Sequence, residues 1–337
     1  MSANWRLRIA DWQSQIVLSF LALLGFVRPA LGCLSDGRYV MGTVLEITLC
    51  APDTAQGQHT LETLFTSATH LDALFTTFSP DSPVSHLNLL AGRGAQTVPP
   101  EVADILSLSL SYWQLTGRTF DVTVGPLMAL WRQAAATHTL PSPAAVRRAR
   151  SRVGSEKVKL SAGDQVILTR SGMALDFGGI GKGYALDRLA EVLKAQGLSA
   201  ALLDFGQSSI WALGAPPDAA GWRLLLQQPN GGTVGIITLH DQALSVSGSF
   251  GQPFAVNGAR YGHVIDPRSG KPLRRDLLAC VLAPSAAQAE ALSKALLILS
   301  EHEGIALLQR LPKVEGLLVE AGGQRWMTPG WPHYWAR

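Results

Sequence analysis

The sequence predicts an α+β fold, a single unit of two lobes with mixed sheets and packed helices. Three observations point to it. Residues 39–49, Tyr-Val-Met-Gly-Thr-Val-Leu-Glu-Ile-Thr-Leu, alternate as a strand does. Several longer stretches carry apolar residues at helical spacing instead. The two kinds of segment are intermixed, without the regular βαβ repetition of a doubly wound fold.

The elements follow in chain order. Arg6 and Arg8 precede a 12-residue apolar run, 16–27, followed by Arg28-Pro29 and Ala30-Leu31-Gly32-Cys33. A basic start, a short apolar run and small residues at a cleavage point describe an export signal. The run falls short of the roughly 20 residues that span a bilayer. Ala30–Cys33 also resembles a bacterial lipobox, with Ala30 where leucine is usual. Lipidation of Cys33, plain cleavage after Gly32 and an uncleaved membrane anchor all stay open. Residues 1–33 are therefore read as an export signal and 34–337 as one folded unit, which places the protein at the periplasmic face of a bacterial membrane.

After the opening strand, 60–78 reads as helix. Ser82 caps a second helix with Pro83 in its first turn, and Val84, Leu87 and Leu90 share one face. Residues 102–116 form an amphipathic helix ended by Gly117. Residues 144–153 read as a short basic surface helix, 165–175 as strand ending in a glycine turn, and 184–196 as helix. Residues 286–311 read as one helical stretch with a hitch at Gly304.

Composition limits the function. Hydrophobic residues make up 47% of the 337 and charged residues 16%, a globular balance rather than a disordered one. A net charge of +3 with no long basic run gives no footing for nucleic-acid binding. There is no Cys-x-x-Cys and no histidine cluster, so no zinc site is indicated. Cys50 and Cys280 end or sit within apolar strand-like runs. A disulfide between them is one reading, and two small buried hydrophobes the preferred one.

The chemistry concentrates in residues 172–193. Asp176 to Gly183 is a glycine-rich loop with one lysine, Lys182, set between strand and helix. Such a loop brings backbone N–H groups against an anion at a helix N-terminus. The spacing is neither that of a Walker loop nor that of a dinucleotide fingerprint. A site for a phosphorylated ligand follows. A glycine turn with a solvated lysine is the plain alternative.

Other polar motifs sit at turns, where function usually lives. They are Met41-Gly42-Thr43, Phe78-Ser79-Pro80-Asp81-Ser82 with Leu87-Asn88, and Phe120-Asp121-Val122-Thr123-Val124-Gly125-Pro126. Then come Ser245-Val246-Ser247-Gly248-Ser249 and His263-Val264-Ile265-Asp266-Pro267-Arg268-Ser269-Gly270. In this order, and with the loop at 176–183, they resemble the ApbE family, the FAD:protein FMN transferases, from about residue 39 to about 320. The resemblance implies an FAD cleft between the lobes, since members bind FAD there with Mg²⁺ at the pyrophosphate and transfer its FMN half to a Thr or Ser hydroxyl of an acceptor flavoprotein, releasing AMP.

The resemblance implies a cofactor-binding set of Met41, Phe78, Phe120, Asp121, Val122, Asp176, Gly178, Gly179, Lys182, Ser247, Gly248 and His263. His263 is the group suited to proton transfer, with Lys182 beside the phosphates and Asp266 organising the histidine turn. The implied metal set is Gly181, through its carbonyl, with Glu290 and Lys294. Here the chain departs from the family pattern, because Glu290 stands where the family has Asp and Lys294 where it has Thr. A protonated lysine has no lone pair to give a cation. Three readings follow: a transferase whose Lys294 replaces the ion or whose metal site is imperfect, a flavin-binding protein without activity, and hydrolysis of FAD to FMN and AMP.

Overall fold

The computed structural model describes residues 32–51, 53–228, 232–250, 254–256 and 259–336. The export-signal reading of 1–33 falls almost wholly outside the described residues.

The centre is an eight-stranded sheet: β1 (Cys33–Val40), β2 (Thr43–Cys50), β3 (Ala201–Phe205), β4 (Ser209–Leu213), β5 (Gln242–Gly248), β6 (Leu277–Ala283), β7 (Glu315–Glu320) and β8 (Arg325–Met327). Every neighbouring pair is antiparallel, and the strands lie in the sheet in chain order. Long insertions between strands carry the helices.

Side-chain alternation splits the apolar residues between two layers. From β3 and β4, Leu203, Phe205 and Trp211 face the helices, whereas Ile210 and Ala212 join the opposite core. In β6, Ala279 and Val281 pack under helices and Leu278, Cys280 and Leu282 face the other way. Both faces are covered, which explains why Leu-Leu-Ala-Cys-Val-Leu-Ala is apolar throughout. The second face is closed by the hairpin Trp222–Gln227/Thr233–Leu239 and by Trp331, which is fully buried.

The helices are α1 (Thr54–Phe75), α2 (Pro83–Leu89), α3 (Pro100–Leu115), α4 (Gly125–Thr137), α5 (Pro143–Arg150), α6 (Gly181–Ala195), α7 (Ala286–Ile298) and α8 (Glu301–Gln309). α1 buries Leu61, Leu64, Phe65, Ala68, Leu71 and Phe75 at helical spacing. Ser82 caps α2, its hydroxyl accepting from Ser85 N at 3.0 Å. α4 and α5 have their own small core, with Leu127, Trp131, Ala149, Val153 and Ile265, and form the second lobe.

Four readings are corrected. Residues 39–49 are not one strand: the chain reverses at Met41-Gly42, both at positive φ (51° and 76°), giving the β1–β2 hairpin. Residues 286–311 are two helices, broken at Leu299. Ser300 opens α8 with a capping box to Glu303, and Gly304 lies buried inside α8, where a Cβ would stand 2.6 Å from Leu296 Cδ1. The strand at 165–175 stops at Leu168, and the chain turns at Gly172, φ 76°. Finally, Cys50 pairs with Cys33, its register partner on β1, and not with Cys280, which is a buried free thiol. A sulfur in that disulfide carries no lipid thioether, so lipidated Cys33 and this bridge are mutually exclusive.

Candidate active site

A cleft of about 730 Å³ opens between the small lobe and the C-terminal half of α7. Its apolar wall includes Met128 and Trp131 of α4, with Val264 and Ile298. Phe120, Asp121, Val122, Asp176, Gly178, Gly179, His263 and Lys294 supply the rest of the part that carries chemistry. Eight of the residues singled out in the sequence thus meet in one place, from four distant segments.

The walls are fixed by hydrogen bonds that begin in local sequence. Asp121 accepts from Thr123 N (2.9 Å) and Oγ1 (2.6 Å) and from Ser155 N (3.2 Å) and Oγ (2.9 Å). Its carboxylate is buried and spent on joining two loops, although burial pushes its pKa up. Asp176 accepts from Gly178 N at 2.9 Å and from Arg132 Nη2 at 3.2 Å, tying the glycine loop to α4. Asn88 clamps Leu175 through both of its backbone groups, at 2.6 and 3.0 Å.

The loop enters α6 by close approach. A Cβ on Gly183 would stand 2.4 Å from the Ala286 carbonyl oxygen, so only glycine lets α6 touch the start of α7. Gly183 N donates to Glu290 Oε2 at 3.0 Å. Ile180 and Gly181 donate to Phe177 O. Among the described residues, the amides of Gly179 and Lys182 are left without a protein acceptor at this helix N-terminus, the placement an anion needs. Asp187 locks the same two helices, accepting from Ser285 Oγ (2.7 Å), Ala286 N (2.7 Å), Ala287 N (3.0 Å) and Trp211 Nε1 (3.0 Å).

His263 lines the cleft beside Lys294. Its pKa lies below the ordinary histidine value, first from lost hydration and then from the Lys294 charge. A neutral imidazole able to take a proton results. Asp266 is occupied elsewhere in the turn: it accepts from Arg268 N (2.9 Å) and from the Arg268 guanidinium (3.1 and 3.2 Å).

The remaining candidates lie off the cleft. Lys182 Nζ donates to the Ser208 hydroxyl. Met41 sits in the hairpin turn, its N–H donating to Asp72 Oδ2 at 2.9 Å and its side chain against the main core. Phe78 is exposed, with the Arg132 guanidinium 5.7 Å from its ring centre. Gly248 ends β5, and Ser247 bonds Ser293 at 2.8 Å. Met128, Trp131 and Arg132 went unnoticed in the sequence. The signal for α4 was present, with Pro126 in a first turn followed by Leu127, Leu130, Trp131 and Ala134.

Gly181, Glu290 and Lys294 do not fit Mg²⁺, which takes six oxygen donors in tight octahedral geometry. Glu290 is fully buried, and both its oxygens are already bound, one to Gly183 N and the other to the Ser209 hydroxyl. Lys294 brings an ammonium. Among the described residues, no group of three or more His, Cys, Asp or Glu comes together as a metal set.

Residues 41–318 match the family model described as ApbE family. The FAD:protein FMN transferase of Treponema pallidum is 28% identical over 304 residues, covering 85% of this chain and 84% of that protein. The apo form of the flavinyl transferase ApbE from Pseudomonas stutzeri superposes with a TM-score of 0.79 at 26% identity, covering 90% of this chain and 97% of that one. The flavin transferase ApbE from Vibrio cholerae has the same fold, with a TM-score of 0.79 at 23% identity and coverage of 90% and 99%.

Proposed function

This chain belongs to the ApbE family, and from that premise we propose that it is an FAD:protein FMN transferase, moving FMN from FAD to a Thr or Ser hydroxyl of an acceptor flavoprotein. The observation that carries the reading is the meeting of His263, the glycine loop and Lys294 in one cleft.

In this proposal the flavin ring lies along the apolar wall of Met128, Trp131 and Val264. The pyrophosphate faces Gly179, Lys294 and the N-terminus of α6. The acceptor hydroxyl oxygen attacks the FMN phosphorus and forms the new phosphoester bond. The bond from that phosphorus to the bridging oxygen breaks, and its electron pair leaves on AMP. His263 Nδ1 or Nε2, unprotonated at neutral pH, takes the hydroxyl proton. Charge building on the phosphoryl oxygens is met by oriented donors already in place. Mg²⁺ has no step here, because the donor set does not fit it.

The proposed location is outside the cytoplasm, at the periplasmic face of the membrane and without a lipid on Cys33. The Cys33–Cys50 bridge supports this, since such bonds persist in oxidising compartments. Intact mass of the exported protein tests it. A mass gain from a lipid would contradict it.

The function is tested by incubating the protein with FAD and an acceptor flavoprotein and reading covalent flavin by in-gel fluorescence. Labelled acceptor with wild type and almost none with His263→Gln is expected. Equal labelling by both would remove His263 from the reaction.

A further inference from the structure

Two lysines stand near the glycine loop, and the structure separates their roles. Lys182, the one the loop sequence points to, is held by Ser208 away from the cleft wall. Lys294, one turn of α7 beyond Glu290, lines the cleft with Gly178, Gly179 and His263. The missing Cβ of Gly179 would stand 3.4 Å from Phe120 Cε2 and 4.0 Å from Lys294 Cγ, so the glycine opens the space between those two side chains.

The residues that would serve a divalent ion are committed to other bonds. Glu290 holds Gly183 N and the Ser209 hydroxyl. Ser293 donates to Glu290 O at 2.9 Å, and Ser245 and Ser247 close on its oxygen at 3.0 and 2.8 Å. This buried network is satisfied without a metal. Lys294 differs from it. Among the described residues its amine makes no hydrogen bond or ion pair; burial holds its pKa below the ordinary lysine value, Glu290 acts against that from beyond ion-pair distance and Lys182 adds to it. A half-buried cation without a bonded partner, facing a cleft beside a helix N-terminus, is a receptor for an anion.

We propose that the Lys294 ammonium is the resident cation of this site: it binds the pyrophosphate of FAD directly, so that this chain holds and cleaves FAD without Mg²⁺. The inference rests on the FMN-transfer reading for the identity of the ligand. It does not need the transfer itself for its test.

The test is the affinity of the full chain for FAD and for riboflavin, which lacks the phosphates, measured by flavin fluorescence in EDTA and in excess Mg²⁺. For wild type the FAD dissociation constant should agree within about threefold between the two conditions. In EDTA, Lys294→Met should weaken FAD by about tenfold or more and leave riboflavin unchanged, which also shows an intact cleft. Lys294→Arg, which keeps the charge, should retain most of the FAD affinity.

Mg²⁺ tightening FAD on wild type by about tenfold or more would overturn the proposal. So would unchanged FAD affinity in Lys294→Met. Acceptor labelling is read in parallel. FAD bound in EDTA with no labelling in either condition would sink the transfer reading while the affinities still decide Lys294. No binding of either flavin would sink both.

Discussion

Gly183 N donates to Glu290 Oε2 across 3.0 Å, joining the first turn of α6 to the middle of α7 in the interior of the protein. With the Ser209 hydroxyl on the other oxygen, Glu290 is a structural clamp. Glu290→Ala should lower unfolding stability by about 2–4 kcal/mol, because a buried donor pair loses a charged acceptor. Glu290→Gln, which keeps an acceptor oxygen, should cost roughly half as much. Urea unfolding measures both, and a loss below about 1 kcal/mol for Glu290→Ala would remove the clamp.

The same contact makes Gly183 a demanding position. Its absent Cβ would meet Ala286 O at 2.4 Å and Ala286 C at 2.6 Å, and both are backbone atoms. Gly183→Ala should separate α6 from α7, costing about 1–3 kcal/mol, with FAD affinity falling as well. Calorimetry and flavin titration report the two effects. Gly197→Ala is not a fair control, since φ 72° strains any side chain there. Gly322→Ala, in open space, is one.

Much of this arrangement was legible in the chain. The Ser82-Pro83 cap and the Gly117 stop carry their physics locally, so α2 and α3 were found near their observed ends. Seven of the eight cleft residues lie in motifs that stand in family order, and the eighth, Lys294, in the segment that departs from the family pattern. What was missed depends on partners distant in sequence. Met41-Gly42 reverses the chain inside an alternating run whose pattern reads the same through a hairpin. The break at Leu299 interrupts apolar spacing that continues into α8, although Ser300-x-x-Glu303 was a readable cap. No local signal says that Cys33 faces Cys50. Lys294 is tied to the site in the sequence only through the family pattern, since nothing local links it to a glycine loop in a distant segment of the chain.

His263 should set the acid limb of the pH profile. Its pKa is held below the usual value, so the unprotonated base is present at neutral pH and is lost on acidification. Transfer measured as kcat/KM should rise with pH along a limb whose midpoint lies below the ordinary histidine value of about 6.5. The charged groups around the cleft are Lys294, Arg132, Asp121 and Asp176. Of these, Lys294 is the one that lowers the histidine. Lys294→Met should therefore move the rising limb to higher pH. A limb that stays in place would show that the lysine does not act on the imidazole. His263→Gln should lose roughly 10²–10⁴ in rate.

Asp204 should make stability fall as pH rises from about 4 through about 7. Burial pushes its pKa up to about 7, with Glu46, its register partner on β2, acting in the same direction against Lys182 and the Gln207 amide. The folded state thus holds this proton more tightly than the unfolded chain. The associated stability is full below about pH 4 and is lost as pH rises through about 7. Asp204→Asn keeps an oxygen for Gln207 N, which donates to Asp204 Oδ1 at 2.6 Å. It should raise Tm relative to wild type at about pH 8.5 and bring little gain near pH 5. An equal gain at both would sink this account.

The most direct measurement is the ratio of AMP released to acceptor hydroxyls flavinylated, by chromatography and intact mass, with FAD and the wild-type protein. The account predicts one AMP for each acceptor that gains FMN with loss of water, and no free FMN. AMP and free FMN with an unmodified acceptor would mean that water, not the acceptor hydroxyl, is the nucleophile. That result would contradict transfer as the function of this cleft.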